Sequence, residues 1–231
     1  MKLARLAVAF LAPLLLAACV LQPGKFASAL TVKADRSFTF AYKGEVIAID
    51  PAEMMSSSLA TSSSDDGDGE AAADRKAEKA KEAGENEAKR KAIAEALMKE
   101  EGYRAVTYLG GGKYLIDYEI SGKLDHGFVY PFNSDAEVLF PFIAIELRKD
   151  GLVRVSAPAF VGSTKKAGGA PGMPSSNDAV DGSFTLTTDA EITMHNNEAG
   201  AQPGPGGMKT LSWRVTPISK DAPTAALRLA R

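Results

Sequence analysis

From residue 103 to residue 229, apolar and polar side chains alternate with a period of two, and this alternation restricts the fold of the 231-residue chain more than any other feature. A strand turns successive side chains to opposite faces, so such a pattern describes strands with one face buried and one face wet. Arg104, Val106 and Tyr108 lead into Gly110-Gly111-Gly112. Tyr114, Ile116, Tyr118 and Ile120 then share a face, opposite Asp117, Glu119 and Ser121. Ile143, Ile145 and Leu147 precede Asp150-Gly151, a strong hairpin signal, and Val153, Val155 and Ala157 follow it. Further strands are read at Phe184 and Leu186, at Ile192 and Met194, at Leu211, Trp213 and Val215, and at Leu227 and Leu229. Clean alternation of this kind belongs to antiparallel sheets. The stretches 162–182 and 198–208, rich in Gly, Pro, Ser and Ala, read as flexible loops within residues 102–231.

The amino-terminal part extends the same pattern. Within residues 25–55, Phe26, Ser28, Leu30 and Val32 face one way, then Phe38, Phe40 and Tyr42, with Ala34-Asp35-Arg36 between them. This predicts a hairpin that joins the later strands in one domain. Val46 to Ile49 form a further alternating run. Residues 56–69 are Ser- and Asp-rich without apolar period and read as a disordered loop. Residues 70–101 are dominated by Ala, Glu, Lys and Arg and predict a charged helix. Asp68 is its candidate cap, Glu85–Lys89, Glu87–Lys91 and Glu95–Lys99 are its pairs, and Gly102 is its stop. Ile93, Leu97 and Met98 form an apolar stripe only in its last turns, so 86–101 are expected to dock and 70–85 to project or fray.

The expected fold is α+β: a curled, mostly antiparallel sheet of roughly ten strands with one main, highly charged helix. One helix cannot cover so wide a sheet, which must curl around it or fold back on itself. A sheet gripping a helix would enclose an apolar cavity. Phe26, Phe38, Phe40, Tyr42, Tyr114, Tyr118, Phe184 and Trp213 fall on the inward side and read as core, or as the lining of such a cavity.

Before the strands lies a different kind of segment. Lys2 and Arg5 precede an apolar run from Leu6 to Leu16, which is shorter than the ~20 residues needed to span a bilayer. Leu16-Ala17-Ala18-Cys19 closes it. The four residues resemble the lipobox of the bacterial lipoprotein signal class. That resemblance implies a signal peptide over 1–18, cleavage between Ala18 and Cys19, and acylation of Cys19 by diacylglyceryl and palmitate-type chains. Residues 19–24 would then be the lipidated terminus and a short tether. Two or more chains anchor stably where one is marginal. Val20 stands where the enterobacterial sorting pattern places Asp to retain a lipoprotein at the inner membrane. The outer membrane, on its periplasmic face, is therefore the expected address, with the inner membrane as alternative.

Composition removes several classes. The chain has 27 Lys+Arg against 29 Asp+Glu, a formal −2, and losing Lys2 and Arg5 with the leader takes this to −4. Such a balance gives no general attraction to nucleic acid. Cys19 is the only cysteine, so no disulfide forms within the chain and an apolar core must hold it. His126, beside Asp125, and His195, beside Asn196 and Asn197, lack metal-ligand spacing, and no metal or cofactor is expected. No Gly-x-Ser-x-Gly elbow accompanies Asp125-His126. Gly110-Gly111-Gly112-Lys113 lacks the phosphate-loop spacing, and Asp65, Asp66, Asp68 and Glu70 lack that of a calcium-binding hand.

Gly24-Lys25-Phe26, Ser37-Phe38-Thr39-Phe40 and Ile120 to His126 resemble uncharacterised envelope lipoproteins of alphaproteobacteria. So do Asp181-Gly182-Ser183-Phe184 and Leu211-Ser212-Trp213-Arg214-Val215. More distantly, the arrangement resembles the LppM-type lipoprotein domain. There an early hairpin precedes a helix, and an Asn-containing turn, here Asn196-Asn197, precedes a strand carrying Trp, here Trp213. The insert at 198–208 departs from that compact turn. The resemblance implies an α+β fold with a lipid-binding cavity and no catalytic residues. The expected function is a lipid-anchored, periplasm-facing, non-catalytic binding or structural role, with the membrane as partner through Cys19. A carrier of a lipid or apolar ligand is the alternative, and an envelope-polymer hydrolase a third reading.

Overall fold

A computed structural model describes residues 20–49, 70–131, 141–161 and 180–230, without the side chains of Val20, 70–80 and 82. The leader, Ala18, Cys19, the 56–69 loop and most of the 162–182 loop lie outside the described residues. In chain order come β1 (Val20–Val32), β2 (Ser37–Ile49), α1 (Glu70–Leu97), β3 (Tyr103–Gly110), β4 (Lys113–Lys123) and β5 (Phe128–Tyr130). There follow β6 (Ile143–Leu147), β7 (Leu152–Ser156), β8 (Asp181–Thr188), β9 (Glu191–His195), β10 (Gln202–Pro203), β11 (Lys209–Val215) and β12 (Thr224–Arg228).

The strands form two sheets rather than one curled sheet. Seven lie in the order β10-β11-β8-β1-β2-β4-β3, and five in the order β5-β6-β7-β12-β9. All pairings are antiparallel except β1 with β8. Of the two expected solutions to the width problem, the described chain takes the second: one sheet folds over the other.

Aromatic side chains hold the two sheets together. On the large sheet Phe40 and Tyr42 are fully buried, and they meet Tyr130 of β5 at ring-centroid distances of 5.1 and 5.6 Å. Tyr118 meets Tyr130 at 4.5 Å, and Phe26 stacks on Phe160 at 4.2 Å. Burying a large aromatic stabilises by roughly 2–3 kcal/mol over exposure, and ring pairing adds about 1 kcal/mol. Six of the eight aromatics expected to face inward are fully or nearly fully buried. Phe38 sits at the margin, and Trp213 is half-buried and stacked on Phe184 at 5.5 Å.

The turns follow their residues. Asp150 and Gly151 both have positive φ (63° and 73°), and Arg148 N–H donates to the Leu152 carbonyl at 2.7 Å, closing the hairpin. Gly110, Gly111 and Gly112 all have positive φ and join β3 to β4. At Gly112 a Cβ would stand 2.5 Å from the Ala48 carbonyl oxygen, which accepts no such intrusion because Ala48 N–H bonds back to Gly112 O at 2.8 Å.

Several expectations are corrected. Residues 20–23 are not a tether: Val20 pairs with Ile49 and Pro23 with Val46, so β1 already includes Val20, the first described residue. Val46 to Ile49 continue β2 instead of forming a separate strand. The 198–208 stretch is folded: Gln202 and Pro203 pair with Thr210 and Lys209, and Pro205–Gly207 make a tight turn, so its Gly and Pro serve the turn. In β9, a register shift gives Thr193 no partner on β12. Met194 is thereby turned out to solvent and His195 inward, the reverse of simple alternation. The helix ends at Leu97, before Gly102, which instead turns the chain into β3 with φ +89°.

Candidate functional site

The end of the large sheet where β1 begins gathers three elements. Val20 pairs with Ile49, Ile47 pairs with Lys113, and Gly110 pairs with Lys113 across the β3–β4 turn. Cys19 is one peptide from Val20, about 3.8 Å between Cα atoms, so anything attached to Cys19 starts at this end of the sheet.

Along β2 and β4 the solvent-facing surface of the large sheet changes character in steps. At the far end Thr39 Oγ1 and Ser121 Oγ hydrogen-bond at 2.8 Å. In the middle lies a belt of ion pairs. Asp117 bonds Arg104 at 2.7 Å and Lys43 at 3.3 Å, and Arg104 also reaches Glu119 at 3.2 Å. Hydrogen bonds from Arg104, then from Lys43, hold the Asp117 carboxyl below its usual range. At the near end Leu115 is 46% exposed and Leu109 51% exposed, Glu45 pairs opposite Leu115 and stands 4.0 Å from Lys113, and Ile47 and Ile49 of β2 are half-buried.

α1 covers the opposite, inner face of β3 and β4. The Tyr108 hydroxyl donates to Glu87 Oε2 at 2.7 Å and accepts from Gly112 N–H at 3.1 Å. The Tyr114 hydroxyl donates to the Arg90 carbonyl at 3.1 Å, and Arg90 Nη1 reaches Glu87 Oε1 at 3.3 Å. Glu87 is held below the usual carboxylate range, first by Tyr108 and then by Arg90. Glu87, Arg90 and Ala94 thus lie on one helical face at spacings of three and four. The half of the helix expected to dock does so, but by another face than the apolar stripe: Ile93 and Met98 stand exposed, Leu97 is half-buried, and the buried residue is Ala94. The helix rests directly on Tyr108 and Tyr114.

The chemistry-bearing residues stay apart. Asp125 and His126 bond each other through Oδ1 and Nδ1 on the surface, both largely exposed, and His126 holds the Asp125 carboxyl low. His195 lies on the other edge of the small sheet. Its Nδ1 accepts Asn197 N–H at 3.2 Å, and it lines an open cleft of about 480 Å³ with Ile192, Gln202, Pro203, Met208 and Lys209. Among the described residues, no group of three or more His, Cys, Asp or Glu is placed to hold a metal. Asp65, Asp66 and Asp68 lie outside the described residues, as does the Glu70 side chain.

The Asn196-Asn197 turn and Trp213 do come together, as a clamp between the sheets. Asn196 Oδ1 accepts Trp213 Nε1–H at 3.1 Å and Thr224 N–H at 2.9 Å, while its Nδ2 donates to Ala222 O at 2.7 Å. Asn197 Nδ2 donates to Ser212 O at 2.6 Å. The bonds from Asn196 span β11 and β12, one strand from each sheet, which gives these residues a structural task.

Sequence reading missed a buried phenol cluster. Tyr130 is 2% exposed, and Tyr103 and Tyr118 pack with it. Burial raises Tyr130 and Tyr42 well above the ordinary phenol value. It pushes Tyr103 up to about 12, with Tyr118 and Glu100 adding to the rise. These groups stay neutral at physiological pH and act as core.

No protein-family model matches this chain, and no curated protein matches it. Among solved structures it is similar to the folded domain of the Mycobacterium tuberculosis protein LppM, determined by NMR. The two share 17% identity over 92% of this chain and 93% of that one, at a TM-score of 0.34. So loose a likeness carries no functional argument.

Proposed function

We propose that the chain is a lipid-anchored envelope lipoprotein, acylated on Cys19 after cleavage at Ala18, whose sandwich domain has a non-catalytic binding or structural role. One observation supports this above others: Val20, the residue after the lipobox cysteine and the first described one, is already paired with Ile49. Cleavage after Ala18 would leave the described sheet whole, with Cys19 one peptide bond from the paired Val20. The address is the periplasmic face of the outer membrane, following Val20 in the sorting position. Asp125-His126 and His195 lie apart, and the non-catalytic role is part of the proposal.

The test is Cys19→Ala in the full chain. Incorporation of a clickable palmitate analogue should be lost, and the protein should leave the membrane fraction or keep its leader. Undiminished labelling of the variant would overturn the proposal.

A further inference from the structure

We infer that the domain lies on the bilayer through the near end of the solvent-facing surface of β2, β4 and β3, with Leu109 and Leu115 entering the lipid interface. The inference rests on the anchored reading of Cys19 and adds an orientation to it.

Three observations carry it. With Val20 already paired to Ile49, Cys19 is one peptide bond from the sheet, so acyl chains on it would bring this end down to the lipid surface. Secondly, Leu109 and Leu115 are exposed at this end, close to Ile47 and Ile49. The same surface is Ser- and Thr-lined at its far end, as at Thr39 and Ser121. Between the two lies the ion-pair belt of Lys43, Asp117, Arg104 and Glu119, suited to headgroup depth, while Glu45, opposite Leu115, has its charge countered by Lys113 at 4.0 Å, whose long stem lets both charged ends reach the headgroups.

The third is the helix. Glu87 sits level with the Gly110–Gly112 turn and Gly102 level with Tyr118, so α1 runs from the near end toward the far end. Glu70 is seventeen residues ahead of Glu87, so at ~1.5 Å per residue the helix projects ~26 Å past the near end. Its residues 70–86 carry Glu, Asp, Lys and Arg throughout, and among the described residues no helix is apolar and long enough to cross a membrane. A domain standing upright on its near end would drive this charged rod into the hydrocarbon. Tilting onto the surface opposite the helix removes that conflict, and this is the surface carrying Leu109 and Leu115.

The experiment uses full-length lipidated protein in phosphatidylethanolamine–phosphatidylglycerol vesicles. With the Cys19 thiol acylated, single variants L109C, L115C, K33C and K81C take an environment-sensitive fluorophore. Flotation is measured first, then quenching by lipids with a spin label in the upper acyl chain. The expected result is flotation of all four, with quenching at L109C and L115C at least threefold above that at K33C, on the far end, and K81C, on the projecting helix. Flotation with equal, low quenching at all four sites overturns the orientation and leaves the anchor standing. Quenching greatest at K81C overturns it in favour of the helix face. Failure to float overturns the anchored reading and this inference with it. Since Leu109 and Leu115 are about half exposed, thermal unfolding of their variants should match the parent and exclude misfolding as the cause.

Discussion

The inner face of the large sheet is covered in two different ways. Over β1, β2 and the middle of β4 it meets the small sheet through aromatic rings: Phe26 on Phe160, Phe40 and Tyr42 on Tyr130, Tyr118 on Tyr130. Over the ends of β3 and β4 it meets α1 through hydroxyls and one alanine: Tyr108 to Glu87, Tyr114 to the Arg90 carbonyl, Ala94 alone buried. The first seam draws on burial of large apolar area. The second consists of a few bonds, each worth a net ~1 kcal/mol, on a helix whose mean hydropathy is too low to bury a face. The sandwich is therefore the cooperative unit, and the helix is an attachment able to leave it locally.

The sharpest way to break the contrast is Phe40→Ala. It removes a fully buried ring that touches Tyr118, Phe128 and Tyr130, and should cost about 3–5 kcal/mol in urea unfolding, with both sheets melting together. If only one sheet lost its structure, the aromatic seam would not be the unit we describe.

Alkaline pH probes the same seam more gently. The Tyr103 phenol is near 10 when unfolded and about 12 when folded, so the neutral form is favoured by folding. Its contribution is fully present below pH 10 and is lost as pH rises toward 12, about 3 kcal/mol in all. Stability measured by denaturant should fall across that window, with phenolate absorbance from the cluster appearing only as the sheets separate. Phenolate absorbance rising at pH 10 with no loss of structure would show the cluster to be wet.

The smallest effect belongs to the helix. Tyr108→Phe deletes one hydroxyl that serves Glu87 and Gly112, and should cost about 1 kcal/mol or less globally. Hydrogen exchange should quicken in α1 and at the β3–β4 turn while β2 and β8 stay protected. Uniform acceleration throughout would place the helix inside the cooperative core.

Much of this was legible because alternation, glycine and Asp-Gly act locally. The strands around Tyr114–Ile120 and Val153–Ala157 and the turns at Gly110–Gly112 and Asp150-Gly151 depend on neighbours in sequence. Asn196 with Trp213 was marked by resemblance, and the clamp gives it a physical reason. What period two does not encode is the partner: nothing along β1 announces a parallel neighbour in β8 or a second sheet above it. Tyr130, Phe142 and Phe160 were missed because β5 has three residues and the other two lie outside strands, so their burial is a tertiary fact. The Ile93–Met98 stripe misled because helical periodicity shows which residues share a face, whereas the tyrosine hydroxyls of β3 and β4 select the face that docks. At β9 a single unpaired residue reversed the facing of Met194 and His195.

We propose that this sandwich hangs from lipid at Cys19, one residue before the paired Val20. Intact mass spectrometry of the mature protein extracted from membranes tests it most directly. The account predicts a chain starting at Cys19 and heavier than that polypeptide by a diacylglyceryl group, with or without an amide-linked acyl chain. A chain starting elsewhere, or one starting at Cys19 with a free thiol, would contradict it.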